Sequence, residues 1–307
     1  MTRWRVVGLS AVAVVIAVAV AAAYLLRDPM PYFLARHASL ARVDEGASSL
    51  ERGFVLTPVH IVATSGLAVD LVVRRSIADT GRRFPLALVL GGPYTGSRAA
   101  RLLGDTHGVV VAAMSYPFSG DPRPDAVTFL REIPRIRAAF LDTPPAMMLA
   151  LDYLLRLPGV DSSRVEVVGV SLGAPFACIA GAIDGRFTRV WSLHGSGGSY
   201  APLEENMRRT IGVTPVRVVA AAVANVIING PRLDPVRWVG RIAPRPFIMV
   251  NAADDERLPR AAVQALFDSA RQPKELIWMT GVHVHGDSAT IQRLAEITMA
   301  RVRDDRR

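Results

Sequence analysis

Short apolar runs recur along the chain: FPLALVL (84–90), GVVVAAMSY (108–116), RVEVVGV (164–170), FTRVWSLH (187–194), PFIMVNA (246–252) and ELIWMTG (275–281). Each is nearly continuous rather than alternating, which suits strands covered on both faces. Helix-like stretches separate them: PPAMMLALDYLLRL (144–157), the segment from Pro175 to Ile183, and RAAVQALFDSAR (260–271). Alternation of this kind predicts an α/β architecture, a mostly parallel central sheet with helices on both faces. Ahead of it, FVLTPVHIV and LAVDLVVRR, separated by ATSG, read as an antiparallel hairpin at the edge of the sheet.

One connection is longer than a crossover needs. Between His194 and the strand that begins near Pro246, an insertion at about 196–244 contains the helix-like VTPVRVVAAAVANVIING (213–230). Its apolar surface suits either a cap over a pocket or a second contact with a membrane. Its place after a strand's carboxyl end, where open α/β sheets bind ligands, favours the cap.

The front of the chain has a different pattern. Residues 6–26, VVGLSAVAVVIAVAVAAAYLL, carry no charge and would span roughly 31 Å as a helix. The expectation is a membrane anchor over residues 1–30, with a cleaved secretory signal as the alternative, because Ala21-Ala22-Ala23 offers small residues for cleavage. Arg3 and Arg5 precede the span while Arg27, Arg36 and Arg42 follow it, so basic residues do not set its orientation. The short leading tail favours an exported domain. Residues 28–52 hold prolines and mixed charge without a clear period, so 31–52 reads as a linker, which leaves 53–307 as one domain.

Composition adds little. The formal charge of +9 comes from scattered basic residues, almost all arginine and not interleaved with aromatics, so nucleic acid is not an expected partner. The tail RVRDDRR reads as a solvated, frayed end. The single cysteine, Cys178, cannot form an internal disulfide.

The chemistry centres on VEVVGVSLGAPFA (165–177), where an apolar run breaks at Gly169-Val170-Ser171-Leu172-Gly173 and a helix with an early Pro175 follows. Small residues on both sides let the backbone turn sharply and lift the serine hydroxyl above the sheet, over the positive end of the helix. This GxSxG, set between strand and helix, resembles the α/β-hydrolase family, and the resemblance extends from about residue 53 to the C-terminus. The family supplies a nucleophile, an acid and a histidine in that chain order.

The resemblance assigns Ser171 as nucleophile. It assigns Asp255 in NAADDERLP as the acid, four residues before Pro259, with Ala252 where glycine is usual and Asp254 as runner-up. In TGVHVHG it assigns His283 as the base, with His285 as the second choice and an HxH metal pair as a minor alternative. For the oxyanion it implies the backbone N–H groups of Leu172 and of Gly92, the latter in LVLGGPYTGSR, where Leu90 stands in place of a frequent histidine. Tyr94 and His194 are candidate pocket-lining residues.

The expected activity is hydrolysis of a carboxylic ester or thioester through an acyl-enzyme, with a small hydrophobic substrate. The alternatives are a membrane-tethered, non-catalytic binding protein on the same fold, or a peptidase or acyltransferase using the same residues. No cofactor is implied, because no GxGxxG follows the first strand, and no metal ligands stand at diagnostic spacing.

Overall fold

The computed structural model describes residue 16 and residues 23–92, 96–120, 125–284 and 288–304. Ten strands form one sheet: β1 (Leu40–Glu45), β2 (Ser49–Glu51), β3 (Phe54–Ala63), β4 (Ala68–Ser76), β5 (Phe84–Leu90), β6 (Val110–Met114), β7 (Val160–Val170), β8 (Arg189–Leu193), β9 (Phe247–Ala252) and β10 (Lys274–Met279). Their spatial order is β1-β3-β4-β6-β5-β7-β8-β9-β10, with β2 pairing beside β1 along β3. From β6 to β10 every pairing is parallel, and β4 joins β6 antiparallel.

Burial explains the lack of alternation in the central runs. In β5, Leu86, Leu88 and Leu90 enter one apolar cluster while Ala87 and Val89 enter another on the opposite face. Strand β9 divides the same way, with Phe247 and Met249 on one side and Ile248 and Val250 on the other. The first face is covered by α2 (Ala126–Leu154), α3 (Ala174–Ile183) and α6 (Arg260–Ser269), and the second by α7 (Ser288–Arg303). Both faces are dry, so both sets of side chains must be apolar.

Residues 31–52 are not a linker. Helix α1 (Met30–His37) buries Phe33 completely in the larger core, and β1 and β2 add to the sheet outside the β3–β4 hairpin. The edge predicted for that hairpin is therefore occupied by β1 and β2. Arg36 donates to both carboxylate oxygens of Asp142 at 2.8 and 2.7 Å, and Tyr32 Oη donates to the same carboxylate at 2.6 Å, which fastens α1 to α2. Tyr32, Leu40 and Val43 pack partly against the same core while Leu34 and Leu50 stay exposed, so no clear period in the segment reveals its packing.

Residues 301–304 of the C-terminal RVRDDRR are also held to the fold more closely than their charge implied. Val302 is buried, Arg301 donates to Glu275, and Arg303 Nε donates to the carbonyl of His107 at 2.7 Å.

Between β8 and β9 the insertion forms α4 (Tyr200–Met207), α5 (Thr214–Ile227) and short turns through Arg241. The apolar stretch at 6–26 lies outside the described residues except for Ile16 and residues 23–26. Among the described residues no helix is long and apolar enough to cross a membrane.

If α1 belongs to the folded unit, Phe33→Ala should lower unfolding stability by about 3–5 kcal/mol. A linker residue would cost almost nothing. Urea denaturation of the full chain in detergent distinguishes the two.

Candidate active site

Strand register brings the candidate residues to one rim. Leu90 pairs with Gly169, Val170 with Leu193, Leu193 with Val250, and Ala252 with Met279. The segments that follow these partners, carrying Gly91-Gly92, Ser171, His194, Asp255 and His283, therefore emerge at the same edge of the sheet. Strand order also reverses here, since β6 lies on one side of β5 and β7 on the other. Crevices open at such points.

The turn after β7 is tight. Ser171 adopts φ +54°, a left-handed conformation that L-residues other than glycine, Asn and Asp rarely hold without compensation. Its flanking glycines make the turn feasible by close approach. A Cβ on Gly173 would stand 2.0 Å from the carbonyl oxygen of Leu90, and one on Gly169 would stand 2.4 Å from that of Gly173. Both obstacles are backbone and cannot yield.

Ser171 Oγ lies 2.8 Å from His283 Nε2, and His283 Nδ1 lies 2.8 Å from Asp255 Oδ2. The other carboxylate oxygen of Asp255 accepts the N–H groups of Arg257 and Leu258, each at 2.9 Å. Burial pushes the Asp255 carboxyl upward, but the hydrogen bond and charge of His283 together with those two N–H donors outweigh it and leave its pKa lowered. Such a carboxylate accepts and does not donate, which fixes the proton of neutral His283 on Nδ1 and presents the Nε2 lone pair to the serine. Glu256 Oε2 accepts the backbone N–H of His283 at 3.0 Å and anchors the histidine from the main chain.

The runner-up Asp254 is exposed and bonds through its backbone N–H to the carbonyl of Gly281. His285 and Tyr94 lie outside the described residues. His194 is fully buried, with φ +49°, and lines one of the two cavities at the site. Its Nδ1 accepts the N–H of Val284 at 3.1 Å, so it supports the His283 segment from below.

His194, Asp255 and His283 place ligand atoms within 4.8 Å of one another. In this arrangement Nδ1 of His194 accepts from Val284, and the two nitrogens of His283 lie within hydrogen-bond distance of Ser171 and Asp255.

Tyr116, just beyond β6, was not singled out from the sequence. Its hydroxyl donates to the carbonyl of Gly91 at 2.7 Å, and burial holds its pKa well above the ordinary tyrosine value, so the donor proton stays in place. In a trans peptide the N–H of Gly92 points opposite to that carbonyl, so Tyr116 fixes the direction of the Gly92 N–H as well. A polar group ending an apolar strand run at the active rim was the available signal.

No protein-family model and no curated protein matches this chain. Solved structures do. Acetyl xylan esterase 1 from Thermoanaerobacterium sp. is 15% identical, covers 91% of this chain and 94% of its own, and superposes with a TM-score of 0.63. An acetyl xylan esterase from Paenibacillus sp. R4 is 16% identical over 87% of this chain and 89% of its own, with a TM-score of 0.59. A cold-adapted esterase from an Arctic intertidal metagenomic library is 15% identical over 84% of this chain and 99% of its own, with a TM-score of 0.52.

The chain has the α/β-hydrolase fold. At these identities the likeness is one of architecture, and within it the α/β-hydrolase rim carries two cavities that meet at Ser171 and His283. One, of about 400 Å³, is walled by Val89, Leu103, Ile291 and Leu294 among others and reaches Gly92. The other, of about 330 Å³, lies under the insertion, against Phe140, Leu203, Ile228 and Leu233. Arg257 borders both. Within the insertion, α4 and residues 228–235 line the second cavity. The lining of neither cavity includes a residue of α5, the helix whose sequence suggested the cap.

The depressed Asp255 pKa has a signed consequence. Its pairing stabilises the fold fully above the ordinary carboxyl value of 3.8 and ceases to do so as pH falls through the lower folded value. The stability difference between the natural protein and Asp255→Asn should thus be constant at neutral pH and shrink below pH 3.8. Urea titrations across that range check it, and a difference that grows on acidification contradicts it.

Proposed function

We propose that this protein is a serine hydrolase of carboxylic esters or thioesters, with Ser171 as nucleophile, His283 as general base and acid, and Asp255 as the orienting carboxylate. The observation that carries the reading is the continuous hydrogen-bonded series from Ser171 Oγ through the His283 ring to Asp255, at 2.8 Å in each step. An isolated alcohol is a poor nucleophile at neutral pH. One whose proton is taken as its oxygen attacks is a competent one.

In the first half-reaction Ser171 Oγ forms a bond to the substrate carbonyl carbon while its proton passes to His283 Nε2. The imidazolium so formed is stabilised by Asp255, which stays ionised. The oxyanion is received by the backbone N–H groups of Leu172 and Gly92, each such donor contributing about 3–4 kcal/mol in the transition state. As the tetrahedral species collapses, the bond to the leaving alcohol or thiol breaks and His283 returns the proton to it. Water, deprotonated by the same nitrogen, then attacks the acyl-enzyme and releases the acid and Ser171.

Two cavities meeting at the nucleophile suit the two halves of an ester, one for the acyl group and one for the leaving group. Their largely aliphatic and aromatic walls favour a small hydrophobic substrate, and the esterase activities named for the structural neighbours agree with that class. The uncharged stretch at 6–26 supports anchorage in a membrane.

On a panel of aryl esters of increasing acyl length, Ser171→Ala should lower kcat/KM by about 10⁴-fold or more, and a fluorophosphonate should label the natural protein but not this variant. Tyr116→Phe should lower kcat by roughly 10-fold with KM little changed, since it loosens the direction of the Gly92 N–H without touching the substrate pocket. Retained turnover in Ser171→Ala would overturn the reading.

A further inference from the structure

We infer that the outer face of α5 is a membrane-contact surface, seated in the interfacial region of a lipid bilayer. Val216, Val219, Val223 and Val226 are 55%, 62%, 53% and 43% exposed. At about 100° per residue these positions fall within an arc of about 80°, a single apolar stripe. Ala221, the one buried residue of the helix, lies on the opposite side. An amphipathic cap helix would turn the valines inward and leave polar residues in water. Here the order is reversed.

The helix's one charged residue reinforces this. Arg217 is turned away from the stripe, with its side chain only 11% exposed, and is paired with Glu204 and the carbonyl of Ile211. No charged side chain of the helix itself therefore lies on the exposed face, and Arg137 of α2 reaches only its C-terminal carbonyls, at Val226 and Ile227. A valine stripe with its single cation folded inward is costly against water and favourable against acyl chains.

The occupant is indicated by where the uncharged stretch at 6–26 meets the fold. Its last residues lie beside the segment that follows α5: the Arg237 guanidinium donates to the carbonyl of Leu26 at 3.4 Å, and Arg232 sits 5.2 Å over the ring of Tyr24. A stretch long enough to cross a bilayer thus leads into the fold beside the segment that follows the apolar helix, which favours a lipid surface over a soluble partner as the occupant of the stripe.

Cys178 is fully buried and its thiol is pushed up to about 12 by burial, so a cysteine placed on the stripe is the one reactive site for a maleimide or iodoacetamide probe. The test uses the full chain in phosphatidylcholine vesicles, with an environment-sensitive fluorophore on Val219→Cys and a control on Ser162→Cys, which is exposed at the opposite rim of the sheet. The Val219 probe should be blue-shifted relative to the Ser162 probe, lose most of its intensity when the vesicles contain a headgroup-quencher lipid, and resist aqueous iodide. Iodide quenching of both probes to the same extent would show the stripe in water and overturn the inference. So would a blue-shifted Val219 probe indifferent to the lipid quencher, which would mean that protein, either the chain's own leading segment or a second copy, covers the stripe. Ester turnover by the labelled protein reports folding separately, because Val219 touches neither cavity.

Discussion

The contact between two pieces of backbone, the carbonyl of Leu90 at the end of β5 and Gly173 just after β7, sets what this molecule can do. The two strands are register neighbours, and the turn after β7 must pass so close to β5 that no side chain fits between them. That approach holds Ser171 in its left-handed conformation and lifts its hydroxyl from the rim. It also puts the Leu172 N–H and the Gly91-Gly92 segment on the same crevice. The strain at one residue is offset by a sheet that is buried on both faces and leaves the turn little freedom.

The proposed acid and base depend on the same register one step removed. Asp255 and His283 come from loops after β9 and β10, whose parallel pairing brings the two loops together. Most of the precision comes from main-chain bonds. Two N–H groups hold Asp255, the Glu256 carboxylate holds the His283 backbone, and His194 holds Val284. The imidazole thus faces a serine whose own position is set by backbone, and side-chain flexibility has little part in the geometry.

The central strands were legible because a strand dry on both faces must be apolar throughout, and each of the six runs contains the core of a strand. GxSxG was legible for a related reason: the glycines are dictated by backbone collisions that leave no other residue type. The α1–β2 region was not, because its contribution rests on one buried phenylalanine and an Arg36–Asp142 pair across more than a hundred residues of chain, which no local pattern reveals. The helix-like stretch at 144–157 is only the last part of α2, which begins at Ala126 after an Asp125 cap and carries Pro144 and Pro145 inside. Tyr116 and Glu256 escaped notice because their roles depend on backbone groups of distant segments. The insertion lines the second cavity through α4 and residues 228–235, whereas α5, whose apolar content suggested an inward face, turns its valines outward.

The account stands on acyl transfer to one oxygen atom. Rapid acid quench of the protein during turnover of an activated aryl ester, followed by peptide mass spectrometry, observes that step directly. An acyl mass on the peptide containing Ser171, formed within the first turnover and decaying as product acid appears, is the predicted result. Steady hydrolysis with that peptide unmodified at every time point would contradict it.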